Sequence, residues 1–323
     1  MFNMANFGCL RGLLLCTLVF QAEAQFAQQG GKLASSGAVG EAGQGYGVAL
    51  SPDGNTAIIG GPSDDNGVGA AWVFTRSGGV WSQQGTKLVA SGALGNAEQG
   101  FSVALSSDGN TAILGGAYDN HNVGAAWVFT RSGGAWSQEG GKLVGSGAAG
   151  PGQQGWCVAL SSDGNTVVVG APFDNSVGAA WVFARSDGAW SQQGGKLVGS
   201  GASGFSGQGY YAALSSDGNT AILGGPSDDN GAGAAWVFTR SGGMWSQQGS
   251  KLVASGAVGS ASQGPVALSS DGNTAIVGGP GDNNLVGAQD VDCRQAAALE
   301  RPVCHFKEGQ RIEIGRASCR ERV

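Results

Sequence analysis

The feature that most constrains this chain is a phrase that keeps returning. "SPDGNTAIIGG" at residues 51–61 recurs with small changes at residues 106, 161, 215 and 269. Its marker aspartates, Asp53, Asp108, Asp163, Asp217 and Asp271, are separated by 55, 55, 54 and 54 residues. A period of this length signals an array in which each unit is one supersecondary element that cannot bury its apolar face alone. Such units must stack on copies of themselves.

Within the first unit, Tyr46–Ser51 (YGVALS) reads as a strand and Asp53-Gly54-Asn55 supplies turn chemistry that tolerates positive φ. Thr56–Gly61 then returns to complete a hairpin. A loop of Asp, Asn and Gly over Ser63–Gly69 leads to Ala70–Arg76 (AAWVFTR), and Ser77–Gly79 turns the chain into Val80–Ala90 (VWSQQGTKLVA). The consecutive apolar residues of Ala70–Phe74 call for a sheet covered on both faces, because a half-exposed strand would alternate. Four-stranded sheets stacked face to face around an axis meet that need and leave only short edges. The expected fold is all-β: a β-propeller of four-stranded antiparallel blades, about five of them in this sequence. A parallel β-helix has far shorter coils, and separate sandwich domains would need about 100 residues each.

Tryptophan recurs at two positions per unit: Trp72, Trp127, Trp181 and Trp236 at one, Trp81, Trp136, Trp190 and Trp245 at the other. Their strand-like surroundings favour core packing over an aromatic platform for sugars. The 62 glycines and 12% charged residues set the chain apart from ordinary enzymes and charged disordered tails, while 41% hydrophobic content is enough for a packed core. A net charge of -6 without a basic run leaves no footprint for nucleic acid.

Arg11, the apolar run Leu13–Phe20 and the "AEA" ending at Ala24 make residues 1–24 an expected signal peptide, too short to span a membrane. Cys16 follows Leu15, where a lipoprotein anchor would want a small residue. Export to the extracellular space or cell surface, without a membrane span and as a monomer, is the expected fate. Cys9 and Cys16 lie in the leader, Cys293, Cys304 and Cys319 near the C-terminus, and Cys157 alone inside the repeats, so disulfides do not staple the fold. His121 and His305 are too few for a convincing zinc site or Ser-His-Asp triad.

The unit "QGFSVALSSDGNTAILGG…VGAAWVF", with Gly-aromatic at its head and Gly170-Ala171-Pro172 later, resembles the FG-GAP repeat of integrin-α-type β-propellers and their bacterial secreted relatives. The likeness covers roughly residues 30–288. It implies about seven blades, an extracellular setting and a role in adhesion or ligand binding. Many such blades hold calcium between their first two strands, which would put a weak metal site at Asp53, Asp108, Asp163, Asp217 and Asp271. Here that loop keeps one carboxylate per blade, and a turn residue capping its own backbone is the competing reading. Calcium is the one cofactor the resemblance implies.

A second acidic set lies between the second and third strands: Asp64, Asp65, Asn66; Asp119, Asn120; Asp174, Asn175; Asp228, Asp229, Asn230; and Asp282-Asn283-Asn284. With the connections between blades these loops open on one face, the "DGN" and "SGG" turns on the other, so this ring is the expected ligand or cation surface. Polar solvated loops are the alternative. Arg76, Arg131, Arg185 and Arg240, and Lys87, Lys142, Lys196 and Lys251, recur in every complete blade and read as scaffold. Glu98, Glu139 and Asp187 break the repeat and read as surface drift.

Residues 28–45 match the last strand and exit loop of a unit, positioned to close the ring on the final blade, whereas residues 265–279 supply only the first two strands of a fifth unit. From Gln289 the glycine rhythm stops. The end, "IGRASCRERV" (314–323), resembles the translation of a sequencing adapter, so residues 289–323 read as an assembly artefact appended to repeats at 25–288; a helical extension around 295–300 is the alternative. The expected function is an exported, non-catalytic binding or adhesion module that presents loops to an extracellular protein or glycan. A spacer within a larger surface protein is the runner-up, and a propeller glycosidase or lyase would need paired carboxylates that the repeats do not offer.

Overall fold

The computed structural model describes residues 28–285 and 287–293, which places the expected leader, and the tail from residue 294, outside the described residues. Residues 28–32 fall in a separate N-terminal unit, and the sheets lie in the unit that begins at Leu33.

The first sheet contains β1 (Val48–Leu50), β2 (Thr56–Gly61), β3 (Ala70–Ser77) and β4 (Val80–Gln83), hydrogen-bonded in that order as an antiparallel meander. Ile59 pairs with Val48 across one ladder and with Trp72 across the next. Three more sheets repeat the plan, opening at Ser102, Cys157 and Tyr211 and closing at Gln138, Gln192 and Gln247. A fifth has three strands among the described residues, the last being Ala288–Cys293. The first strands of successive sheets lie against one another, so they line the axis side of the stack. This is the multi-bladed β-propeller read from the period.

The core is divided into layers between neighbouring sheets. Ile58, Ala71 and Val73 of the first sheet meet Leu114, Trp127 and Phe129 of the second, and the same layer is rebuilt around Trp181 and around Trp236. Trp72, Trp127, Trp181 and Trp236 are 0% exposed, and each indole N–H donates to a serine carbonyl in the connection before its blade, as Trp127 does to Ser91 at 3.1 Å. Burying each such side chain stabilises the stack by roughly 3 kcal/mol before entropy. These tryptophans are core, as their strand context predicts. The glycine pair ending β2 has a steric cause: a Cβ on Gly60 would stand 1.9 Å from the Gly100 carbonyl of the next blade, and on Gly224 1.8 Å from that of Gly264. Backbones touch there.

The structure departs from the sequence reading at three places. The fourth strand ends at Gln83, not Ala90, because the chain bends away and returns to β3 only through an isolated bridge between Ala71 and Leu88. Residues 28–45 form no strand; from Leu33 onward they cover the outer face of the first blade, where Leu33 and Ala42 pack with Trp72, and the expected pairing with the fifth sheet is not among the strand pairings of the described residues. The fifth sheet gains its third strand from Ala288–Cys293, across the boundary drawn at Gln289, because an open strand edge pairs with backbone whatever the side chains.

Candidate ligand-binding face

The two faces of the propeller are built differently. On the turn face, Asp53 Oδ1 accepts from the Ser51 hydroxyl and from the Asn55 backbone N–H (2.9 Å), and Oδ2 accepts from the Asn55 amide (3.1 Å). The Ser51 hydroxyl in turn accepts from Thr56 N–H at 3.0 Å, which closes the hairpin. Hydrogen bonds from Ser51 and then Asn55 hold the Asp53 carboxyl below the usual carboxylate range. Burial pushes Asp108, Asp163 and Asp217 up, but the same bonds from serine and asparagine outweigh it and lower them too.

Each carboxylate at the expected calcium position is thus occupied by its own turn, and in the first four blades an arginine binds the turn's asparagine. Arg76 Nε donates to Asn55 Oδ1 at 3.2 Å, and its guanidinium lies 5.6 Å from the centre of Trp81. Among the described residues no three His, Cys, Asp or Glu side chains gather as a metal cluster. A calcium ion needs about six to eight oxygens, and these turns offer nothing of the kind. Glu139, one of the residues that break the repeat, also belongs to this scaffold: it pairs with Arg185 of the next blade at 2.8 Å.

On the loop face the Asp/Asn set divides in two. Asp64, Asp119, Asp174 and Asp228 are buried, each bound to the lysine of its own blade and to a backbone N–H of the preceding connection. For Asp119 the partners are Lys142 Nζ at 2.6 Å and Leu94 N–H at 2.6 Å. Asp282 takes Val258 N–H in the same way. These carboxylates tie blades together and are not a ligand surface, which corrects the sequence reading. The ties join residues about two dozen positions apart, beyond any local pattern.

Asp65, Asn66, Asn120, Asn175, Asp229 and Asn230 are exposed at the loop tips with φ between 47° and 58°. Asp and Asn tolerate that left-handed backbone better than other non-glycine residues, so the turn itself accounts for their recurrence. In each connection a buried glutamine locks the other wall of this face: Gln99 Oε1 accepts from Ala90 N–H at 2.6 Å and its amide donates to Ala90 O at 3.1 Å.

What these rigid loops present is aromatic. Tyr46, Phe101, Trp156 and Tyr210 stand at the heads of successive blades, just before the axis-side strands, with ring centroids 4.7, 4.8 and 4.9 Å apart in turn. Tyr118 joins Phe101 edge-on, Phe173 joins Trp156, and Phe205 stacks on Phe173 at 5.8 Å. Tyr211 continues the cluster from Tyr210. All four tyrosines of the chain and the one tryptophan outside the two repeating positions meet in this patch. Tyr46, Phe173 and Phe205 are 62%, 39% and 42% exposed, and the other rings are half-buried. Contiguous exposed rings of this kind mark interaction surfaces.

Glu98 lies beside them: it is half-buried, desolvation raises its carboxyl above the ordinary value, and its charge acts on Tyr46 and Tyr118. The sequence reading took Glu98 for drift and the head aromatics for a family signature. The signal that would have found them is the divergence of one position, Tyr46, Phe101, Trp156 and Tyr210, within otherwise near-identical units. Cys157, next to Trp156, has its thiol enclosed; burial pushes it up to about 11, and it contacts the Ala212 carbonyl at 3.9 Å.

No known protein family matches the chain, and no curated protein does so either. Solved structures are similar in fold: hydrazine synthase of Kuenenia stuttgartiensis, 14% identical with a TM-score of 0.50 over 81% of this chain and 65% of that one; and a putative 6-phosphogluconolactonase of Bacteroides uniformis ATCC 8492, 15% identical with a TM-score of 0.50 over 77% of this chain and 71% of that one. The chain thus spans about two thirds of the length of the first, 65%. Both are β-propeller proteins, and the class that fold and likeness define is the β-propeller. No helix among the described residues is long and apolar enough to cross a membrane.

Proposed function

We propose that this chain is an exported, non-catalytic binding propeller whose aromatic loop face docks an extracellular protein or glycan. The observation that carries this reading is the row Tyr46, Phe101, Trp156 and Tyr210, four rings in mutual contact on a rigid scaffold. Rigid aromatic side chains give large contact area at small entropic cost, which is how binding surfaces are commonly furnished. The Asp53 and Asp64 series support the same reading, since each of those carboxylates is engaged in a turn or an interblade tie. Export rests on the leader-like residues 1–24, which lie outside the described residues.

The test is capture of immobilised fibronectin, collagen and a panel of glycans by the purified chain and by its F101A/W156A/Y210A variant. Loss of capture with an unchanged melting temperature is expected. Equal capture by a folded variant would move the binding surface elsewhere, and steady turnover of a lactone or glycoside would overturn the non-catalytic reading.

A further inference from the structure

Resting on that reading of the aromatic face, we propose that its ligand is a neutral glycan chain, laid with sugar rings face-on over Trp156 and Tyr210. Three independent observations converge on this chemistry. The first is the floor. Aromatic faces carry negative quadrupole potential and attract weakly positive C–H groups as well as excluding water, and one face of a pyranose ring presents such C–H groups in a plane. Rings 4.8–4.9 Å apart across three blades make a continuous strip for a chain-like ligand in place of a single pocket.

The second is an acceptor without a donor. Gln153 Oε1 is buried and has no hydrogen-bond partner, while the same residue's backbone carbonyl accepts from Trp156 N–H at 3.1 Å. Its equivalent one blade earlier is Glu98, beside Tyr46 and Tyr118. A buried amide oxygen left unpaired is destabilising, and a rotation of this side chain toward Trp156 would give a ligand hydroxyl a neutral acceptor there. The loop tips next to Tyr118 and Phe173 add amides, Asn120 and Asn175, held outward by left-handed backbone.

The third is charge. Lys87, Lys142, Lys196 and Lys251 are each neutralised by a buried aspartate, whereas Asp65 and Asp229 stay exposed and Glu98 half-exposed. Sulfated or uronic-acid glycans would meet repulsion there. Hydroxyl-rich neutral chains meet none.

The experiment titrates the full chain with cellohexaose, mannohexaose and maltohexaose, with a heparin hexasaccharide as the anionic control, by calorimetry and tryptophan fluorescence. At least one neutral hexasaccharide is expected to bind and shift the emission, with heparin silent. Trp156→Phe should retain binding, Trp156→Ala should weaken it about tenfold, and Gln153→Leu should weaken it severalfold. Saturable binding unaffected by W156A, binding of heparin alone, or no binding by any hexasaccharide would overturn the glycan proposal. If the F101A/W156A/Y210A variant still loses fibronectin or collagen capture in that last case, the binding face stands and only its ligand class falls.

Discussion

On the turn face, Asp53, Asp108, Asp163, Asp217 and Asp271 take the same serine and asparagine bonds blade after blade. On the loop face, the head position changes from Tyr46 to Phe101, Trp156 and Tyr210, and the loop position from Ser63 to Tyr118, Phe173, Ser227 and Gly281. Identity among repeats follows from a shared structural duty, because every blade must close the same hairpin and stack on the same neighbour. Divergence on one face is free to serve a ligand that is not itself fivefold repeated. The turn face therefore answers for stability, the loop face is the one we propose for recognition, and the two should separate on mutation.

The largest effect belongs to the core that both faces share. Trp127→Ala removes a fully buried indole between the first two sheets and should cost about 3–5 kcal/mol in denaturant unfolding, enough to leave a fraction of the chain unfolded. Asp119→Ala leaves Lys142 and Leu94 N–H unpaired and should cost about 2–3 kcal/mol, which would make this loop-face residue behave as scaffold. A cost near zero there would return the buried aspartates to the candidate binding set. Trp156→Ala, half-buried at the rim, should cost about 1 kcal/mol or less in stability while it removes most of the binding.

Acid sharpens the turn side. The lowered carboxyls of Asp53, Asp108, Asp163 and Asp217 favour the folded state above the ordinary carboxylate value, and that contribution is lost as pH falls through their lowered folded values. Melting temperatures from pH 7 to pH 2 should fall less steeply for a D53N/D108N/D163N variant than for the parent. Parallel curves would mean that the turns do not hold these charges. The smallest effect is at Cys157: a thiol pushed up to about 11 stays protonated at neutral pH, so iodoacetamide should leave it unmodified in the native chain and alkylate it after unfolding.

The scaffold was legible in the sequence because its cause is local or periodic. A 54–55-residue period, an Asp-Gly-Asn turn and the Ala-Ala-Trp-Val-Phe run each carry their structural meaning in adjacent residues. The site was not, because it exists only after stacking. Phe101 and Trp156 are 55 residues apart and touch only when their blades lie side by side. One aromatic per unit reads as a core residue or a family mark until the radial arrangement makes a row of it. Charge misled in the opposite direction, since Asp64 and Asp119 look like exposed loop acids until Lys87 and Lys142 reach them from the segment that follows the fourth strand of the same blade. The repeating tryptophans are packed in the core, and the exposed aromatic row stands at the blade heads instead.

The most direct measurement is oxidative footprinting of the native chain read by mass spectrometry, residue by residue. The account predicts rapid labelling of Tyr46 and Trp156 and negligible labelling of Trp72, Trp127, Trp181 and Trp236, which have no exposed surface. Labelling of those four at the rate of Trp156 would mean that the sheets are not stacked on one another, and the account would be wrong from its first step.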